Sequence, residues 1–134
     1  MDIMACYVDS ELGNKVIEVA TSYAKTLGAN LHVVTSLPQK IERNLHDLSD
    51  REAAQKKLLE VQEKVKAQGV DCVVSLQTDD LSDGENLVSY AEQNPMEMVV
   101  VGVHRVSKVG KLIFGSTAQH VILSAPSYVL SVKV

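Results

Sequence analysis

Nothing in this 134-residue chain approaches the roughly 20 consecutive apolar residues that cross a bilayer, so a membrane-spanning helix is not expected. The opening MDIMACYVD has an acid at position 2 and runs directly into a strand pattern, which argues against a signal peptide and for a cytoplasmic protein. Positive charge is in deficit: 13 Lys and Arg face 17 Asp and Glu, a net charge of −4, so the basic face of a nucleic-acid binder is missing. There are only two cysteines, Cys6 and Cys72, both in apolar strand-like runs and in no CxxC pair, and they read as reduced, buried small hydrophobes. His32, His46, His104 and His120 stand at no metal-ligand spacing, and no metal site is assigned. Linkers, repeats and low-complexity stretches are absent too. Residues 1–134 therefore read as one domain, long enough to bury a core without disulfide or metal staples.

What is present is a steady alternation of strand and helix patterns. Ile3 to Asp9 is a short apolar strand ending on a carboxylate. Ser10 caps a helix with Val16, Ile17, Ala20, Tyr23, Ala24 and Leu27 on its apolar stripe, and Gly28 stops it. Leu31 to Ser36 is a second strand, followed by a polar loop from Pro38 through Asp47. Ser49 and Glu52 have the spacing of a capping box before a helix ended by Gly69, and Val70 to Gln77 is the third strand. A second capping box, Ser82 and Glu85, opens a shorter helix that Asn94-Pro95 ends. Met96 to Gly102 is a fourth, very apolar strand. The last helix begins near Ser116, carries Ala118, Val121, Ile122 and Ala125 on one face, and stops at Pro126. Tyr128 to Val134 is the fifth strand.

Five strands alternating with four helices predict a parallel α/β sheet covered on both faces. With strand order 3-2-1-4-5, the direction of winding reverses between strands one and four. Ligands bind beyond the carboxyl ends of strands at such a reversal. Those ends are Asp9 and Gly102.

The stretch from Val99 to Thr117, VVVGVHRVSKVGKLIFGST, carries the strongest chemical signal. A strand ends in glycine, a cationic loop follows with Arg105, Lys108 and Lys111, and Gly115-Ser116-Thr117 opens a helix. Free N–H groups at a helix start, approached through glycine, cradle phosphate. The Gly110-Lys111 pair does not make a P-loop, because Leu112 replaces the Ser or Thr and Arg105 replaces the first glycine. The dinucleotide fingerprint fails as well, since only Gly13 follows the first strand at close range.

Taken with the Val8-Asp9-Ser10 strand end and the closing Ala125-Pro126, this pattern resembles the universal stress protein family over essentially the whole chain. The resemblance implies a single-domain flavodoxin-like (adenine nucleotide alpha hydrolase-like) three-layer α/β sandwich. Nucleotide-binding members carry G-2x-G-9x-G-[ST]. Gly102 matches the first glycine and Gly115-Ser116 the last pair, while Arg105 replaces the middle glycine. The loop is similar to a basic variant, G-x-R-x-R-S-x-x-G-K, through Arg105, Ser107, Gly110 and Lys111, with His104 and Val106 at positions often held by arginine. The resemblance implies ATP or AMP, with or without Mg²⁺, as ligand. Asp9 would contact the adenosine, and a residue at the end of strand two, Ser36 or Val34, would line the adenine pocket. Gly102, His104, Arg105, Gly110, Lys111, Gly115, Ser116 and Thr117 would surround the phosphates. It also implies a homodimer through the final strands, Tyr128 to Val134. No general base or nucleophile stands beside the loop, so no catalytic residue is assigned. A regulatory nucleotide-binding protein of the stress response is expected, with a ligand-free dimeric interaction module or a slow ATPase as alternatives.

Overall fold

The computed structural model describes residues 1–39, 45–104 and 115–133. Within them the chain runs β1 (Asp2–Cys6), α1 (Glu11–Leu27), β2 (Asn30–Ser36), α2 (Leu45–Ala67), β3 (Cys72–Gln77), α3 (Asp83–Gln93), β4 (Met98–Val103), α4 (Ser116–Ser124) and β5 (Tyr128–Lys133). The strands form one parallel sheet in the order β3-β2-β1-β4-β5, as expected. Ile3 faces Leu31 on one side and Met98 on the other, which sets β1 at the centre of the sheet.

Because successive strand residues point to opposite faces, the sheet builds two cores. Ile3, Ala5 and Tyr7 join Val16, Ala20, Leu58 and Val65 on the side covered by α1 and α2. Met4, Cys6 and Val34 join Leu87, Ala91, Ala118 and Val121 on the side covered by α3 and α4. The result is three layers, with every helix beginning at the edge where the preceding strand ends.

Local chemistry accounts for most element ends. The Ser10 hydroxyl accepts the Gly13 amide at 2.9 Å and starts α1. Gly28 ends it at φ 64°, in the left-handed region that suits a residue without Cβ. Ser82 and Glu85 form the reciprocal capping box at the start of α3. Free Cys6 and Cys72 are both buried.

Several boundaries differ from expectation. The first strand ends at Cys6 rather than Asp9, because after Tyr7 donates its amide to the Val34 carbonyl the chain turns toward the Ser10 cap. Asp9 thus lies in the turn before α1. The second helix begins at Leu45, inside the segment expected to be loop, so Ser49 and Glu52 are interior helical residues and cap nothing. No proline or glycine separates Leu45 from Ser49, and an i,i+3 pair fits a helix interior as well as its start. Tyr23, Leu27 and Ile122, expected on inward stripes, lie at stripe margins and are exposed.

At the amino ends of the strands, His32 bridges two elements. Its Nε2 lies 3.0 Å from Asp2 Oδ1 and its Nδ1 lies 2.8 Å from the Tyr90 hydroxyl of α3. An ionised carboxylate only accepts, so in the neutral ring Nε2 carries the proton and Nδ1 accepts from Tyr90. The hydrogen bond that His32 Nε2 donates to Asp2 is the largest cause holding the Asp2 carboxyl below the ordinary carboxylate range.

Candidate functional site

At the opposite edge, beyond the carboxyl ends of β1 and β4, a cavity of about 360 Å³ opens where the strand order reverses. Its floor is apolar, made of Cys6, Leu12, Val16, Leu87 and Val101. Polar groups ring it: Ser10, Ser36, Asp83, His104, Ser116 and Thr117. An apolar body with a few convergent polar groups is the usual character of a small-molecule site. Burial pushes the Cys6 thiol up to about 12, so this floor cysteine behaves as a small hydrophobe rather than a nucleophile.

Three helix starts, those of α1, α3 and α4, converge on this cavity, and they differ in how their amide donors are satisfied. Ser10 caps α1 and Ser82 caps α3, each with a side-chain oxygen. Gly115 caps α4 with φ −60° and ψ 152° and has no side chain to donate or accept. The first-turn amides of a helix have no partner within the helix. At α4 these donors, the helix dipole and the hydroxyls of Ser116 and Thr117 meet at the cavity wall, an arrangement suited to an anion. Among the described residues, a Cβ added at Gly115 would meet no atom within 4 Å.

Gly102 also lines the cavity, and its lack of a side chain has a packing reason. A Cβ there would sit 2.7 Å from Cγ and 2.9 Å from Cδ2 of Leu12, closer than such atoms approach. Glycine at the end of β4 lets α1 lie against the sheet before any ligand is considered.

On the other side of the cavity, Ser36 at the end of β2 donates its hydroxyl to Asp83 Oδ1 at 2.9 Å. Asn86, 1% exposed, donates one amide hydrogen to the Ser36 hydroxyl at 3.0 Å and another to the Asp79 carbonyl at 3.0 Å. The wall is therefore tied to α3 and to the turn before it.

Of the expected site residues, Ser36, Gly102, His104, Gly115, Ser116 and Thr117 come together around this cavity. Asp9 is not among its lining residues, although its neighbours Val8 and Ser10 are. Its carboxylate lies 3.8 Å from Lys57 Nζ on α2. It also stands beside the Tyr7 hydroxyl, a buried group that makes no hydrogen bond of full geometry among the described residues. Burial first, and then the Asp9 carboxylate, push Tyr7 up to about 12. Arg105, Gly110 and Lys111 lie outside the described residues, as does Val134 at the end of the expected dimer strand. No group of three or more potential metal ligands occurs among the described residues.

Sequence reasoning missed Asp83 and Leu12. The signal for Asp83 was available: the Ser82 capping box locates the start of α3, and every helix in this topology begins at the ligand edge. Leu12 carries no such signal, because a leucine in the first turn of a helix is ordinary.

These features define a parallel α/β domain with a cavity at its topological switch point and, among the described residues, a helix start without a side-chain cap on the cavity wall. The model of the "Universal stress protein family" matches residues 1–133, and the chain belongs to that family. A universal stress protein from Mycolicibacterium smegmatis is 39% identical over 49 residues, 37% of this chain and 38% of that protein; the matched part spans well under half of that relative. Among solved structures, a universal stress protein from Archaeoglobus fulgidus superposes with a TM-score of 0.81 at 25% identity, covering 98% of this chain and 92% of that one. A universal stress protein from the same organism, in complex with dAMP, has a TM-score of 0.76 at 24% identity, with 98% and 96% covered.

Proposed function

We propose that this chain binds an adenine nucleotide, AMP or ATP, in the cavity between the ends of β1 and β4. Its role would be regulatory, in a cytoplasmic stress response. The phosphate rests on the start of α4, against Gly115, Ser116 and Thr117, with Gly102 and His104 beside it. The nucleoside lies across the apolar floor toward Ser36. The observation that carries this reading is the α4 start: its N-cap is a glycine without capping atoms, and it faces an open cavity of nucleotide size. The dAMP bound by the Archaeoglobus relative is consistent with the same class of ligand. Occupancy would act on partners only if bound and free states differ in what they present. The edge strand β5, paired in the chain only with β4 among the described residues, and the exposed Tyr128 and Leu123 support a homodimer through the final strands.

Calorimetric titration with AMP, ADP and ATP, each with and without Mg²⁺, tests the reading, together with the variant Gly115→Asp. The aspartate's Cβ meets no atom of the described residues, and its carboxylate supplies a cap and places a negative charge where the phosphate would sit. Binding by the unaltered protein, lost at least ten-fold in Gly115→Asp while the fold is no less stable, is the expected result. No heat with any nucleotide at millimolar concentration, or equal affinity in the variant, would sink it.

A further inference from the structure

The wall opposite α4 has a directed hydrogen-bond order. The Asp79 carbonyl can only accept, so the Asn86 side chain must turn its NH₂ group toward it. The second hydrogen of that NH₂ then goes to the Ser36 oxygen, and the Ser36 hydroxyl proton goes on to Asp83. Every donor along the Asn86–Ser36–Asp83 path is spent inside the protein. Ser36 and Asp83 line the cavity, and what they still offer a ligand is acceptor capacity, above all the second carboxylate oxygen of Asp83. Asn86 is almost fully buried and both its amide hydrogens are engaged, so the path cannot reverse without breaking a buried hydrogen bond.

We propose that Asp83, oriented by Ser36 and Asn86, is a specificity-determining residue that selects a nucleobase carrying an exocyclic amino group. The proposal rests on the nucleotide reading given above. Ser36 ends β2 and Gly102 lies near the end of β4, two strands apart across β1, which is about 10 Å. That separation matches the reach from the phosphate to the base of a nucleotide rather than to its ribose. A carboxylate at this end also repels phosphate, so the ligand enters in one orientation, phosphate to α4 and base to α3. An amine on the base donates to the free oxygen of Asp83. A carbonyl at the same position sets acceptor against acceptor. The purine pair that differs in this way is adenine and hypoxanthine.

The experiment compares AMP, IMP, 2′-deoxy-AMP and 3′-deoxy-AMP by calorimetry on the full chain and on Asp83→Asn, with Ser36→Ala as a second variant. Unaltered protein is expected to bind AMP about ten-fold or more tightly than IMP, the cost of one mismatched hydrogen bond to a charged group. The deoxy nucleotides should bind within about two-fold of AMP. In Asp83→Asn the side-chain amide can turn its NH₂ to a carbonyl, so the AMP-to-IMP ratio should fall to about one or invert. Ser36→Ala, which leaves Asp83 untethered, should reduce the ratio part of the way. A merely structural Asp83 would weaken both nucleotides together and leave their ratio intact, which overturns the assignment. Equal binding of AMP and IMP to the unaltered protein, or loss confined to the deoxy nucleotides, overturns it as well. If no purine nucleotide binds at all, the underlying site reading fails and this proposal with it.

Discussion

Replacing Gly102 by alanine separates the two reasons a glycine could stand at the end of β4. The added methyl would lie 2.7 Å from Leu12 Cγ and 3.1 Å from its Cδ1, so Leu12 must leave its rotamer or α1 must shift away from the sheet. Overpacking of this kind costs about 1–3 kcal/mol. Leu12→Ala alone removes a largely buried side chain, and because that side chain borders an open cavity its cost should fall near the low end of the leucine range, about 2 kcal/mol. In the double variant the three atoms nearest the new methyl, all of Leu12, are gone, so Gly102→Ala should add little further cost. The cycle then shows a favourable coupling of about 1–3 kcal/mol. Urea denaturation of the four proteins, checked for a constant slope, measures it. Additive costs would refute the packing account. AMP titration of the same four proteins shows whether the glycine also serves a close phosphate approach: affinity lost in Gly102→Ala and still lost in the double variant would assign it that second duty.

Two further expectations concern titratable groups away from the α4 start. Asp2 has its carboxyl pKa lowered in the fold, chiefly by the hydrogen bond from His32, so its contribution to stability is complete above the unfolded value and is lost as pH falls through the folded one. Asp2→Asn should therefore flatten the fall in urea midpoint as pH drops through and below the ordinary carboxylate range, and parallel curves for the two proteins would refute this. The Tyr7 hydroxyl is buried without a partner among the described residues, so Tyr7→Phe should raise stability by about 1 kcal/mol. A loss of that size would mean the hydroxyl has a partner after all.

Most of the fold was legible because the chain states its helix ends in side-chain chemistry. Ser10, Gly28 and the Ser82–Glu85 box each act where their residue types predict, and the Val-rich runs give parallel strands buried on both faces. The start of α2 was not legible, because Ser49 and Glu52 mimic a cap inside a helix that nothing upstream interrupts. The cavity was half legible. Gly102, Gly115 and Ser116 announce themselves by spacing, whereas Asp83 matters only through a spatial path from Asn86 through Ser36. Asp9 illustrates the other limit: a carboxylate at a strand end has two sides to turn to, and Lys57, 48 positions later, lies on the one away from the cavity.

The strand order has a consequence for how the chain comes off the ribosome. β1 is made first and lies at the centre, yet only its pairing with β2 is local; the Ile3–Met98 register must wait until three-quarters of the chain exists. During synthesis the nascent sheet therefore carries a bare apolar edge, with Met4 and Cys6 uncovered on the face that α3 and α4 will later close. Such an edge is the kind that chaperones hold and that stray strands capture. For this protein, slow or interrupted translation before Met98 is the moment of greatest exposure to aggregation.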